Sequence, residues 1–561
     1  MKPSYVVGET TPPLFNMTIG EALERAASNW PAGEALVCPA QGARLTWRDL
    51  DRRAGEIAAG FLARGLKPGE RVGIWSLNRL EWVLTQFACA KAGLILVTVN
   101  PAYRLSELEY ALTKVDMNAI VISPPFKTSD YGGMILTLAP ELATSSPGQL
   151  RSGRLPFLRL VVQMGEELIP GALSFAALEQ EGRAAGAEAL RAVAAGLRPS
   201  DPVNIQFTSG TTGAPKGVTL SHHNILNNGY MIGGYLGLAP DQRFCVPVPL
   251  YHCFGMVVGN LACLTHGAAI VLPGEGFDPL VTLQTLADER CTVVNGVPTM
   301  FIAELEHPRF AEFDLSSMRS GIMGGSPCPI EVMRKVISQM HAPDMTIGYG
   351  MTETSPASFQ TSPDDPLERR VSTIGRVHPH AEAKIIDTAT GAIVPCGTPG
   401  ELCVRGYAVM LGYWNDEAQT AKAIDAEGWM HTGDLAVLDE DGYCQIVGRI
   451  KDMVIRGGEN LYPREIEEYL YTHPKIMDVQ VFGVPDERYG EELCAWVILR
   501  EGQEMNAEEL RAFCRGQIAH HKIPRYVKFV AEMPTTVTGK IQKFRMREMM
   551  VEELSAIGLT G

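Results

Sequence analysis

Three short apolar runs, at 72–75, 95–99 and 119–123, are spaced so that a helix fits between the first two, and residues 80–92 carry that helical pattern. Strand, helix and strand in this order predict a mostly parallel sheet, because parallel neighbours need a crossover rather than a tight turn. Two helical stretches precede these runs. Thr18 and Glu21 have the spacing of a capping box for an amphipathic helix reaching Trp30. A second pattern covers 45–62 and stops before the Lys67-Pro68-Gly69 turn. The Ser-, Gly- and Arg-rich stretch at 144–156 reads as a surface loop.

At 561 residues the chain exceeds what one core can organise, and roughly two to four domains are expected. Near Gly400 the text becomes β-rich and turn-punctuated, and after Gly448-Arg449-Ile450-Lys451-Asp452 a compact α/β pattern begins. The expected fold is α/β. Residues 1–450 should form a large N-terminal domain of mixed and parallel sheets with a β-rich subdomain. Residues 451–561 should form a small α+β domain, hinged at Lys451 and Asp452.

A strand-like run at 204–207 leads directly into Thr208-Ser209-Gly210-Thr211-Thr212-Gly213-Ala214-Pro215-Lys216-Gly217. Glycines let backbone N–H groups approach an anion, the hydroxyls add donors, and Lys216 supplies a point charge, so the segment suits phosphate. A Walker loop, G-x-x-x-x-G-K-[ST], fails here, since Pro215 stands at the second glycine and Gly217 at the magnesium-binding hydroxyl. A nucleotide-phosphate loop of another kind remains, at a strand end where α/β folds bind ligands.

Composition narrows the partners. A formal net charge of −15 argues against nucleic-acid binding, which depends on Lys and Arg neutralising phosphates. One basic region stands out: Arg511, Arg515, Lys522, Arg525, Lys528, Lys540, Lys543, Arg545 and Arg547 share their stretch with a single acid, Glu532. It reads either as a solvated face or as a site for a phosphate-bearing ligand. No apolar run approaches the ~20 residues of a membrane span, and the first residues lack the apolar core of a secretory signal. The twelve cysteines include no C-x-x-C pair. They read as reduced thiols of a cytoplasmic protein, without structural zinc.

Further segments have chemical potential: Pro249-Leu250-Tyr251-His252, Gly324-Gly325-Ser326-Pro327, Tyr349-Gly350-Met351-Thr352-Glu353, Thr432-Gly433-Asp434 and the Thr-rich loop ending Gly539-Lys540. The Tyr349 segment offers a ring for a base, a close-approach glycine, a hydroxyl for phosphate and a carboxylate for magnesium; it could equally be a plain strand end. Asp434 could accept both hydroxyls of a ribose, or lie in a solvated turn. His252 is either functional or a histidine packed beside Tyr251 and Phe254.

Taken together, in this order, these motifs resemble the adenylate-forming superfamily of acyl-CoA synthetases, firefly luciferase and peptide-synthetase adenylation domains, over about 15–550. The text Asn78-Arg79-Leu80-Glu81-Trp82, Asn100-Pro101-Ala102-Tyr103-Arg104 and Arg456-Gly457-Gly458-Glu459-Asn460-Leu461-Tyr462-Pro463 is most similar to the fatty-acyl-CoA synthetase branch, with medium-chain ligases nearest. The resemblance implies ATP, Mg2+ and coenzyme A, with a small-molecule carboxylate joined to CoA through an acyl-adenylate. It implies Thr208 to Lys216 as the β/γ-phosphate loop, Gly325, Ser326 and Pro327 beside the acyl-adenylate, and Tyr349 and Gly350 at the adenine. Thr352 would meet the α-phosphate, Glu353 the magnesium, and Asp434 and Arg449 the ribose.

Lys540 would bridge carboxylate and α-phosphate. A swing about Lys451 and Asp452 would then bring Gly457 and Gly458 to the pantetheine arm, and His252 would lie where the acyl or CoA channel meets the carboxylate. A homodimer is expected by the same resemblance. Ser326, Cys328 and Thr535 depart from the commonest family text. An aryl or short-chain acid ligase, a luciferase-type monooxygenase and a non-catalytic nucleotide binder remain as alternatives. A peptide-synthetase module is disfavoured, since too little chain follows Lys540 for a carrier domain.

Overall fold

A computed structural model describes residues 2–208, 215–325, 328–456, 459–486, 488–536 and 541–556. The parallel unit expected near the N-terminus forms as strands Arg71–Trp75, Ile95–Thr98 and Ala119–Ile122, with the helix Leu80–Ala92 at the predicted bounds. They belong to an eight-stranded sheet that continues through Leu160–Gln163 and Leu173–Ser174 on one side and Pro202–Thr208 on the other. Alternate residues serve two cores: Ala119 and Val121 face one, Ile120 and Ile122 the other. Burial on both faces explains why these strands read as continuous apolar runs. The far edge turns antiparallel, where Lys216–Ser221 pairs with Pro202–Thr208 and then with Gly412–Tyr413.

A nine-stranded sheet is the second layer, with Val293–Gly296, Ser320–Gly324 and Asp344–Gly350 parallel at its centre. One core spans both sheets, from Leu23, Trp82 and Phe87 to Ile225, Phe244, Ile270 and Ile322. Helix Leu80–Ala92 lies within it and is buried from Trp82 onward, as a helix between two layers must be. Its one buried cation, Lys91, is neutralised by Glu24 and Asp51, both at 2.7 Å.

The capping box at Thr18 and Glu21 forms as expected and starts the helix Ile19–Asn29. The pattern at 45–62 needs correction at its start. Ala43–Thr46 is a strand paired with Glu34–Cys38, and the helix Trp47–Ala63 begins after a second capping box, Thr46 with Asp49. The β-rich part also begins earlier in sequence than Gly400: Tyr5–Val7 and Ala381–Ile386 join Gly400–Gly406, Met430–Leu438 and Cys444–Arg449 in a five-stranded sheet. Three residues of strand have too little periodicity to be read from sequence.

After residue 453, strands Val454–Arg456, Glu459–Leu461, Ile476–Asp486, Gly490–Leu499 and Tyr526–Phe529 make a separate sheet with its own apolar clusters. The basic run at 511–547 is largely neutralised there. Arg515 pairs with Glu508 and Lys522 with Glu465 at 2.5 Å, Lys543 with Glu467 at 2.6 Å, and Arg525 with Asp486 and Arg547 with Glu491 at 2.8 Å. The one-sided charge seen in sequence is therefore mostly a solvated, salt-bridged face, because its acids, Glu508 excepted, come from other elements.

Helix Pro298–Leu305 buries Glu304 to 1% exposure, and among the described residues its Oε2 meets no hydrogen-bond partner. Burial pushes this carboxyl up to about 8 from an ordinary 4.5. Between those values the folded chain holds a proton that the unfolded chain releases, so stability is full below 4.5 and falls as pH rises towards 8, by about 1.4 kcal/mol per pH unit. Glu304→Gln should abolish that decline and be the more stable form at pH 8. Urea midpoints measured from pH 5 to 9 test this; parallel pH profiles for the two proteins would refute it.

Candidate active site

The parallel strands of the second sheet end together at Gly296, Gly324 and Gly350, with Gly324 opposite Gly348 in register. At Gly350 no larger residue fits, since a Cβ would lie 1.7 Å from the Pro356 carbonyl oxygen. The chain then makes the short turn Thr352–Thr354, which places Thr352 and Glu353 in buried positions. Glu353 accepts a 2.9 Å hydrogen bond from the Tyr413 hydroxyl. The ring of Tyr413 in turn lies 4.7 Å from Lys216 Nζ, within cation–π range. Burial, and next the Glu353 carboxylate, push the Tyr413 phenol well up, so it stays a donor.

Lys216 is held by strand register. It pairs directly with Thr208, so the two described ends of the predicted phosphate loop face each other across a hairpin. The Pro215 carbonyl accepts a 2.9 Å bond from the Tyr110 hydroxyl. Trp414 N–H donates to the Gly217 carbonyl at 2.7 Å, which brings Tyr413 against the hairpin. Ser209, Gly210, Thr211, Thr212, Gly213, Ala214, Ser326, Pro327, Gly457, Gly458 and Lys540 lie outside the described residues.

On the other side of the turn, the Tyr349 hydroxyl donates to Asp434 Oδ2 at 2.6 Å, and Arg449 Nε lies 3.2 Å from Asp434 Oδ1. Asp434 and Arg449 are register partners in adjacent antiparallel strands, which explains why two residues fifteen apart meet. Burial raises the Asp434 carboxyl, and Arg449 opposes that shift. Burial and then Asp434 push the Tyr349 phenol far above its ordinary range. Gly433, in the left-handed region at φ 71°, forms part of an irregularity in the strand Met430–Leu438 just before Asp434.

His252 caps a short helix: its Nδ1 accepts the Phe254 N–H at 3.1 Å, so the neutral ring carries its proton on Nε2. Cys253 Sγ lies 3.6 Å from that Nδ1 and 3.8 Å from Thr352 Oγ1, linking His252 to the Thr352 turn. Asn295 Nδ2 donates to the Phe254 carbonyl at 3.0 Å and pins this corner to the strand end. Met256, Met300, Ile322 and Phe359 are buried in the same core as Cys253 and Phe254. Gly325 follows at φ 80°. Lys451 and Asp452 form a turn next to Arg449, whose carbonyl accepts the Asp452 N–H at 3.1 Å. Across that turn, Arg500 and Glu306 make an ion pair at 2.5 Å.

Tyr413 and Tyr110 were not anticipated, nor was the contact of Cys253 with Thr352. Each owes its place to contacts between distant segments, and the sequence around each carries no phosphate or metal signature. The oxygen donors Glu353, Thr352 and the Tyr413 hydroxyl suit a hard divalent cation, which prefers carboxylate and water oxygens to sulfur or imidazole. The arrangement can therefore hold a base and ribose at Tyr349, Asp434 and Arg449, and a metal-bound polyphosphate at Glu353, Tyr413 and Lys216.

Residues 23–414 match the family described as AMP-binding enzyme, and residues 465–540 match the AMP-binding enzyme C-terminal domain. The chain is 50% identical over 553 residues to the medium-chain acyl-CoA ligase ACSF2, mitochondrial, of Danio rerio, a match covering 98% of this chain and 91% of that protein. Its fold resembles the anthranilate CoA ligase AuaEII in complex with anthranoyl-AMP, with a TM-score of 0.83 at 26% identity over 97% of this chain and 99% of that one. ATP-bound MatB from Rhodopseudomonas palustris aligns with a TM-score of 0.79 at 28% identity, covering 96% and 100% of the respective chains. With the family match spanning most of the sequence and a relative half identical almost from end to end, the chain belongs to the AMP-binding enzyme family.

Proposed function

We propose that this protein joins a medium-chain fatty acid to coenzyme A at the expense of ATP, releasing AMP and pyrophosphate. The observation that carries this reading is the single turn from Tyr349 to Glu353, which meets the Asp434–Arg449 pair at one end and the Tyr413–Lys216 pair at the other. A nucleoside triphosphate laid along it has its ribose and its phosphates held by groups of suitable charge. The apolar, methionine-containing corner around Met256 and Met300 favours a flexible aliphatic chain over a charged acid.

A carboxylate is a poor electrophile, because its leaving group would be oxide. Attack on the α-phosphate of ATP turns it into a mixed anhydride whose leaving group is AMP, and the CoA thiol can then displace that group. Two anions must first be brought together, so the site has to supply positive charge. Lys216 and the loop from Thr208 would grip the pyrophosphate end. Thr352 would donate to the α-phosphate, and Asp434 would orient the ribose with Arg449 beside it. A magnesium ion held by Glu353 supplies charge neutralisation for the phosphates when bound. Lys540 would bridge the attacking carboxylate and the α-phosphate.

The domains proposed are 1–450 and 451–561, with Lys451 and Asp452 as the hinge. Their separate sheets and cores support independent movement, and one exposed ion pair, Arg500 with Glu306, is a weak tie between them. Rotation would withdraw Lys540 and bring Gly457 and Gly458 to the pantetheine arm near His252. The proposed assembly is a homodimer, which sedimentation of the full chain would read as twice the chain mass. The proposed compartment is the cytoplasm, supported by twelve cysteines that form no disulfide. No helix among the described residues is long and apolar enough to cross a membrane.

The substrate class is tested by AMP release with CoA across carboxylates of increasing length. Activity should peak among medium-chain fatty acids; a maximum with an aryl or acetate-sized acid would overturn the assignment. Lys540→Ala should lose adenylation by ~10²–10³-fold while still converting preformed acyl-adenylate to thioester. Lys451→Pro should do the reverse, because proline fixes φ at the pivot. Equal loss of both half-reactions in either variant would sink its assigned role. Tyr413→Phe removes one hydrogen bond to a carboxylate, worth about 1.5–3 kcal/mol. It should weaken the apparent affinity for Mg2+ in adenylation by about 10- to 100-fold, and an unchanged Mg2+ titration would show that Tyr413 does not support Glu353.

A further inference from the structure

Away from the Glu353 turn, the five-stranded sheet gathers three groups of a different chemistry. Cys403 and His431 are direct partners in the antiparallel strands Gly400–Gly406 and Met430–Leu438, and Glu401 lies two residues before Cys403 on the same strand. Their ligating atoms all lie within 4.8 Å of one another, the one such grouping of three among the described residues. Cys403 Sγ is 3.6 Å from His431 Nδ1, and that nitrogen is 3.1 Å from Glu401 Oε2. With ordinary zinc–ligand lengths, tetrahedral coordination puts sulfur and nitrogen about 3.6 Å apart and nitrogen and oxygen about 3.3 Å apart. The observed spacings match the edges of such a tetrahedron.

A carboxylate stands near the second ring nitrogen of His431, just beyond hydrogen-bond reach. Histidine ligands usually give their second ring N–H to a carboxylate, and here His431 Nε2 lies 3.7 Å from Asp425 Oδ2. Asp425 is itself fixed, its Oδ1 accepting the backbone N–H groups of Glu427 and Trp429 at 2.9 Å each. Glu401 keeps Oε2 toward the cluster because its Oε1 accepts the Gly433 N–H at 3.1 Å. Trp429 and Ile386 pack with the buried Cys403, while the His431 side chain is 31% exposed and leaves a way in from solvent.

We propose that Glu401, Cys403 and His431 form a binding site for a zinc-class divalent cation, with Asp425 orienting the imidazole and water completing the coordination. The thiolate and imidazole select a softer ion than the oxygen donors at Glu353 do. Binding would release the thiol proton and cross-link the two strands. It would also brace Gly433, the residue before Asp434. This departs from the expectation of no structural zinc, which rested on short cysteine spacings; here the ligands come from two strands brought together by register.

The test uses the full-length reduced chain, stripped with a chelator and titrated with Co2+ in the absence of nucleotide. One equivalent should bind with a thiolate-to-cobalt charge-transfer band and the intense visible bands of tetrahedral cobalt, and Zn2+ should displace it. Cys403→Ser should abolish the charge-transfer band, and Asp425→Asn should weaken Co2+ binding by about 10- to 100-fold. Absence of the band in the parent protein, or its survival in Cys403→Ser, would overturn the proposal. Should Cys403→Ser fail to fold, His431→Gln and Asp425→Asn decide the matter: unchanged Co2+ affinity in both would overturn it.

Discussion

The hydrogen bond from the Tyr413 hydroxyl to Glu353 joins the antiparallel edge of the first sheet to the turn that ends the second. It sets where a carboxylate can stand next to a cation, since the same ring carries Lys216 on its face. Side-chain packing between the two sheets is non-directional, and the backbone bond from Met410 N–H to the Glu353 carbonyl at 2.9 Å and the bonds of Asn78 to Val248 and Leu250 tie the same layers. A directional polar contact at their junction gives the site a defined geometry. Tyr413 can do this because burial, and next the Glu353 carboxylate, raise its phenol above the ordinary value, so the hydroxyl keeps the proton it donates.

The second half of the site depends on register. Asp434 and Arg449 face each other because their strands pair in one alignment, and a slip of one residue would turn both side chains to the opposite face. The same sheet brings Cys403 opposite His431. The neighbouring strand irregularity at Gly433 ties these features together, its N–H bound by Glu401 and its chain leading into Asp434. One sheet thus serves the proposed ribose contact and the proposed metal site through adjacent residues.

Much of the layout was legible before any coordinates. Helix Leu80–Ala92 was readable to the residue because its apolar residues recur at helical spacing between the Asn78-Arg79 segment and Gly93, which ends it in the left-handed conformation. The capping box at Thr18 was readable because its two partners are three residues apart. The phosphate loop and the Tyr349 segment were recognisable as contiguous motifs. The start of Trp47–Ala63 was misjudged, since Ala43–Thr46 takes its strand character from pairing with Glu34–Cys38. The basic run stayed open between two readings for a related reason, as its counter-charges Glu465, Glu467, Asp486 and Glu491 lie earlier in the chain.

Sequence alone therefore determined what neighbouring residues can encode: the parallel α/β class, the order of the chemical segments, and the family to which they belong. Tertiary structure alone decided which distant groups touch. That includes Tyr413 on Glu353, Tyr110 on Pro215, and Glu401, Cys403 and His431 around one point. Periodicity and short motifs are local properties of a chain. Strand register and sheet-to-sheet packing are set by the whole core, and they leave no mark in the residues on either side of a contact.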